Sequence, residues 1–262
     1  MQDKLIARAK ELLSEGKVKK VVGWKKGLFE DDITPAVFTT AEELDKDFVF
    51  NKYCKANLSK YLVGITKNIE IAKSTTRMNN TMAKQRDPNA QDAPIPQEVV
   101  LVFLKPADTY SFTQLLKESR ITREDVYAIG VPCQDTLDGG DLCDNCAGKK
   151  PVSCDEYIGV DPNADVAPNT SRMEEVAKLE AMSVEERYNF WRNEFSRCIR
   201  CNACRNVCPA CTCEKCVFDN NALYTTQKVA ETNFEESLFH IIRAWHVAGR
   251  CTDCGECSRV CP

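Results

Sequence analysis

Two cysteine runs near the carboxyl end constrain this chain more than any other feature. Residues 197–209 read RCIRCNACRNVCP and residues 250–262 read RCTDCGECSRVCP. Each is Cys-x2-Cys-x2-Cys-x3-Cys-Pro, formed by Cys198, Cys201, Cys204 and Cys208, then by Cys251, Cys254, Cys257 and Cys261. At this spacing three thiolates on one tight loop grip a four-iron cluster, while the fourth, set at the proline turn, reaches a neighbouring cluster. On that logic Cys198, Cys201, Cys204 and Cys261 hold one 4Fe–4S cluster, and Cys251, Cys254, Cys257 and Cys208 the other.

The plainer readings of the same thiols are weaker. Zinc sites use pairs of Cys-x2-Cys, or Cys with His, rather than triplets closed by Cys-Pro. The two histidines, His240 and His246, lie outside the runs and six residues apart, so they do not share a helix face. They read as structural or solvent-exposed. Sixteen cysteines in 262 residues, clustered at ligand spacing, belong to a reducing interior rather than to a disulfide framework.

Composition narrows the class. With 35 Lys and Arg against 39 Asp and Glu, the net charge is −4, which argues against a protein that neutralises nucleic-acid phosphates. MQDKLIARAKELLSEGK lacks the apolar core of a signal peptide. No stretch approaches the roughly 18 to 20 apolar residues of a membrane span, so a cytoplasmic chain without direct membrane insertion is expected.

Ahead of the runs, Leu5, Ile6, Ala9, Leu12 and Leu13 recur at helical spacing, with Gly16 placed as a C-terminal cap. VKKVVGW (18–24) and the segment from Pro35 to Thr39 read as strands. Thr40 and Glu43 form a capping box for a helix running to about Phe50. Cys54 stands alone and reads as a small buried side chain. Residues 75–97 are polar, carry three prolines and lack a hydrophobic period, which predicts an exposed loop.

EVVLVFLK (98–105) reads as a buried parallel strand, Ser111 and Gln114 as the box opening a helix, and VYAIGV (126–131) as the returning strand. Strand, helix, strand predicts a parallel βαβ core, and in such sheets ligands bind beyond the carboxyl ends of the strands. The loops after Lys105 and at Pro132–Cys133 occupy that edge. The expected organisation is an α/β domain over residues 1–159, a polar linker over 160–182 and a helical two-cluster ferredoxin-like module over 183–262. Ser183 and Glu186 cap the first helix of that module, and Phe234, Leu238, Ile241, Ile242 and Trp245 mark a second that ends at Gly249.

Seven further thiols fall outside the paired runs and the lone Cys54. Cys133, Cys143, Cys146 and Cys154 follow the second βαβ strand and fit a third 4Fe–4S cluster or a structural zinc knot. Cys211, Cys213 and Cys216 follow the first run directly. They either replace Cys208 or Cys261 as a ligand or serve a further metal together with Cys208. Arg197, Arg200, Arg205 and Arg250 flank the runs, and cations there offset the net negative charge of a thiolate-ligated cluster.

IGVPCQD, the CDNC that follows, PVSCDEYIG and the two cysteine runs together resemble the beta-subunit family of deazaflavin-reducing (coenzyme F420-type) hydrogenases and formate dehydrogenases. Dicluster relatives in heterodisulfide-reductase-type complexes share the runs. The resemblance covers residues 98–262. It implies an iron–sulfur electron-transfer subunit of a cytoplasmic, anaerobic oxidoreductase complex, with a catalytic partner subunit and a soluble carrier (flavin, ferredoxin or deazaflavin). FAD is implied by the resemblance alone, since no Gly-x-Gly-x-x-Gly run is present. The sequence stops at Pro262, directly after the last ligand, and reads as a shortened member or as a fragment. Two other readings stay open, a catalytic flavoprotein subunit and a zinc-stabilised binding protein.

Overall fold

The computed structural model describes residues 1–29, 31–133, 150–164, 171–219 and 232–262. Its amino-terminal part is built on a five-stranded sheet in the order β2-β1-β3-β4-β5. The strands are β1 (Lys20–Lys26), β2 (Ile33–Phe38), β3 (Val100–Leu104), β4 (Val126–Gly130) and β5 (Glu156–Tyr157). β1, β3, β4 and β5 run parallel, and β2 pairs antiparallel with β1 at the edge. The expected parallel core is therefore one part of a mixed sheet, in which the short β1–β2 connection folds back as a hairpin.

All five residues of β3 are buried, as a strand covered on both faces requires. Helix α1 (Gln2–Ser14) packs Leu5, Ala9 and Leu12 into the core and ends at Gly16, whose φ of 68° closes the helix without steric cost. Thr40 and Glu43 make the expected capping box for α2 (Ala41–Asp47). Trp24 fills the centre beside Phe50, with ring centroids 5.5 Å apart, and its indole N–H donates to the Ala56 carbonyl at 3.3 Å.

Two elements correct the sequence expectations. Helix α3 runs from Ser59 to Arg86, so residues 75–86 of the expected loop are helical. The far half of that helix is largely exposed, and a helix wet on most sides carries no apolar period to read. It is held locally: Thr76 and Thr81 hydroxyls donate to carbonyls one turn back, and Asn80 exchanges two hydrogen bonds with Ala93. Helix α4 (Pro106–Lys117) starts five residues before the expected Ser111 box. Pro106 at its first position is pre-set for helix, and this outweighs a polar pair that sits a turn and a half inside. The expected loop 106–109 is thus the first turn of α4.

Within the stretch read as a linker, α5 covers Ser171–Ala181. Ser183 and Glu186 form the expected capping box for α6 (Val184–Ser196). The remaining helices are α7 (Ala203–Val207), α8 (Asn233–Val247) and α9 (Glu256–Arg259). α6 packs on α8 and α7 on α9, so each cysteine run follows a long helix and contains a one-turn helix in the same arrangement. No helix among the described residues is long and apolar enough to cross a membrane.

Candidate metal centre

The two cysteine runs fold as copies. In the first, Arg200 and Asn202, which flank Cys201, have φ of 50° and 64°. In the second, Asp253 and Gly255, which flank Cys254, have φ of 58° and 76°. The carbonyls of Asn202 and Gly255 then accept equivalent amide bonds, from Arg205 and Asn206 at 3.0 Å and from Ser258 and Arg259 at 3.1 Å. Left-handed residues on both sides of the central cysteine curl the backbone tightly, and such curls turn successive amides towards one anionic ligand.

The second run faces a cavity of about 70 Å³ whose lining includes Cys208, Cys251, Cys254 and Cys257. Its other wall comes from the α/β domain, through Ser111, Gln114, Leu115 and Glu118 of α4 and its C-terminal cap. Asn57 and Ser111 hydrogen-bond the Cys254 sulfur. Asn57 Nδ2 also donates to Ser111 Oγ at 3.0 Å, and Ser111 Oγ meets Thr252 Oγ1 at 2.8 Å. Burial pushes the Cys254 thiol up to about 11, with the nearby Asp108 carboxyl adding to the rise. A metal here must therefore displace a proton from a sulfur that the protein alone keeps protonated.

Charged groups tie this run to the end of α4 and to the backbone at Lys55. Arg250 Nε donates to Glu118 Oε1 at 2.8 Å, and Arg250 Nη2 pairs with Oε2. Arg259 Nη2 donates to the Lys55 carbonyl at 3.1 Å and pairs with Glu256. Lys105, at the end of β3, donates to the Cys54, Lys55 and Ala56 carbonyls at 2.9, 2.7 and 3.3 Å. Asp108 lies beneath, fully buried, with burial raising its carboxyl pKa.

In the first run, Cys198 and Cys204 are half-buried and Cys201 is exposed, as is Cys261 at the end of the second run. Cys204 lies within electrostatic reach of Cys198 and Cys257, and burial raises its pKa. Arg200 stacks its guanidinium over Phe239 at 5.3 Å, while its Nε and Nη2 are buried without a hydrogen-bond partner. Unmet donors beside a thiol loop suit an anionic cluster.

Cys208 donates a hydrogen bond to the Cys211 sulfur, which raises the former's pKa and lowers the latter's to about 6. Cys211, Cys213 and Cys216 line a second cavity, which shares Ala210 and Arg250 with the first. Of the other expected set, Cys133 is exposed beyond β4, and Cys154 is half-buried against Gly130. Burial lifts the Cys154 thiol to about 12. Cys143 and Cys146 lie outside the described residues. Cys54 is fully buried and donates to the Val49 carbonyl at 3.5 Å, as expected for a packing residue. His240 stacks on Phe195, with centroids 4.4 Å apart and planes at 5°, also a structural role.

Sequence reasoning missed Asn57, Ser111, Glu118 and Thr252, which only the tertiary fold brings to the thiols. The positive charge of Arg250, next to Cys251, was the one local signal.

Residues 194–262 match the family model for the 4Fe-4S dicluster domain. The carboxyl-terminal region is a 4Fe-4S dicluster domain. The chain is also similar to the F420-dependent formate dehydrogenase subunit beta of Methanocaldococcus jannaschii, 31% identical over 88 residues, which is 32% of this chain and 22% of that one. The F420-dependent formate dehydrogenase 1 subunit beta of Methanococcus maripaludis is 34% identical over 64 residues, 19% of this chain and 16% of its own length. The chain thus spans about a fifth of the length of the curated relatives it matches. These relatives bear out the likeness to the beta-subunit family.

Proposed function

We propose that this chain is an iron–sulfur electron-transfer subunit of a cytoplasmic, anaerobic oxidoreductase complex of the formate dehydrogenase, hydrogenase or heterodisulfide-reductase type. It would relay electrons between a catalytic partner subunit and a flavin, ferredoxin or deazaflavin carrier. The observation that carries the reading is the four-thiol cavity of Cys208, Cys251, Cys254 and Cys257, inside a region that matches the dicluster domain. The names of the relatives support the formate dehydrogenase type among these.

A 4Fe–4S cluster, when bound, takes up and releases one electron. The chain's own residues bind it and set its potential. Cys208, Cys251, Cys254 and Cys257 form one ligand set, and Cys198, Cys201, Cys204 and Cys261 the other. Asn57 and Ser111 stabilise added negative charge at Cys254, and α4 keeps water from one side of it. The paired loops carry the short helices α7 and α9, which pack together, and this contact supports reading the two sets as neighbours. Cys133, Cys143, Cys146 and Cys154 would form a third site, for a cluster or zinc, and FAD would bind in the α/β domain (1–159), joined through 160–182 to the dicluster module (183–262).

Anaerobic purification followed by iron, sulfide, zinc and flavin quantitation tests the reading, with EPR of the reduced protein. About eight irons and eight sulfides belong to the paired runs, and each added centre contributes about four more. Cys208→Ser should abolish one EPR signal and Cys261→Ser the other. Bound flavin reduced by a deazaflavin would favour a catalytic flavoprotein subunit. A colourless, zinc-loaded protein would sink both readings.

A further inference from the structure

Three thiols remain outside the sets just assigned, and the fold places them together. Cys211, Cys213 and Cys216 lie on an irregular loop that lines a cavity of about 640 Å³. That size falls within the roughly 300–1,000 Å³ of cofactor sites and far exceeds what a single ion needs. The loop is held from outside by α3: the Lys60 ammonium donates to the Cys211 carbonyl, and Lys67 pairs with Glu214. These contacts fix the loop at Cys211 and Glu214, beside the three thiols that line the cavity.

The rest of the wall suits a negatively charged group. Lys60 and Arg243 both line it. Arg243 Nη1 is buried with no hydrogen-bond partner, as is the hydroxyl of Thr212, which lies between Cys211 and Cys213 in the chain. Buried donors left unmet cost about 1–3 kcal/mol each, so their presence beside three thiols calls for an acceptor. His246 lines the same cavity.

We propose that Cys211, Cys213 and Cys216 hold a further iron–sulfur cluster, with His246 as its fourth donor. The choice of cluster over zinc rests on geometry. Among the described residues no three ligand-type side chains converge on a single-ion site, here or in the paired runs. A cavity far larger than one ion, lined by three thiols, instead fits a polynuclear group. This cavity adjoins the four-thiol cavity, since both share Ala210 and Arg250 in their walls. A centre there would extend the chain of centres towards α3. This placement, though not the ligand set, rests on the electron-transfer reading above.

The test compares wild-type protein with C211S/C213S/C216S, both purified anaerobically. The variant should lose about four irons and four sulfides per chain while retaining the EPR signals that Cys208→Ser and Cys261→Ser remove. Cys213→Ala alone, at an exposed position that the fold tolerates, should perturb only the added signal, and His246→Ala should shift the g-values of that signal alone. Unchanged iron in the triple variant overturns the proposal, and loss of zinc in place of iron overturns the cluster. Loss of the Cys208-dependent signal also overturns it, by making Cys211 a ligand of the second set. Wild-type protein without any iron would refute the electron-transfer reading itself, a result distinct from all of these.

Discussion

The contact between Arg250 and Glu118 should be what holds the second cysteine run against the α/β domain, and its strength can be worked out. Arg250 grips both carboxylate oxygens of Glu118, and Gln114 Nε2 adds a bond to Oε1 at 2.8 Å. The side chains are 28% and 16% exposed. A hydrogen bond to a buried charged group contributes about 1.5–3 kcal/mol. An exposed ion pair contributes about 0–1 kcal/mol. A mostly buried carboxylate with a guanidinium about a quarter open falls between, at about 2 kcal/mol. A double-mutant cycle of Arg250→Met, Glu118→Gln and the pair, followed by urea denaturation, isolates that coupling. The sign of its pH dependence follows from Glu118, whose carboxyl Arg250 holds below its ordinary 4.5. A depressed folded pKa means that the coupling is fully present above the unfolded pKa and fades as pH falls through the folded one. Coupling under about 0.5 kcal/mol at pH 7, or coupling that grows as the solution is acidified, would refute the reasoning.

Three further outcomes are expected. Ser111→Ala removes a donor from the Cys254 sulfur and should lower the potential of the second ligand set's centre by roughly 60 mV, the one-electron equivalent of 1.4 kcal/mol; an EPR-monitored redox titration showing a rise would contradict the assignment. Lys73 and Asp125 pair in the interior with side chains 9% and 4% exposed, so Lys73→Met should cost about 3–5 kcal/mol in urea denaturation, and Lys73→Met with Asp125→Leu should recover most of it. Cys54→Ala should lower stability by about 1 kcal/mol and leave iron content unchanged, whereas any loss of iron would make that thiol a ligand.

The sheet was legible where burial dictates sequence. EVVLVFLK could hardly be anything but a covered strand, and the capping boxes at Thr40 and Ser183 formed as written. α3 beyond Ser74 was not legible, because a helix with little to bury has no pattern to show. The start of α4 was misread for a different reason. Ser111 and Gln114 have capping-box form, yet Ser111 is buried and spends its hydroxyl on Asn57, Thr252 and Cys254. The thiol runs themselves were fully visible, since their residue type and spacing are written in the chain. What surrounds them was not, because Asn57 and Ser111 reach Cys254 from more than a hundred residues away in the chain.

The wall that α4 lends to the four-thiol cavity is also a shield. Iron–sulfur centres decay when oxygen and water reach the metal, and here one flank of the cavity is closed by α4. A piece cut at residue 183 would keep all eight paired cysteines and the two curled loops. It would nonetheless leave Cys254 without Asn57 and Ser111, and Arg250 without Glu118. Its lifetime in air, rather than its ability to take up iron, is where the missing domain would be felt first.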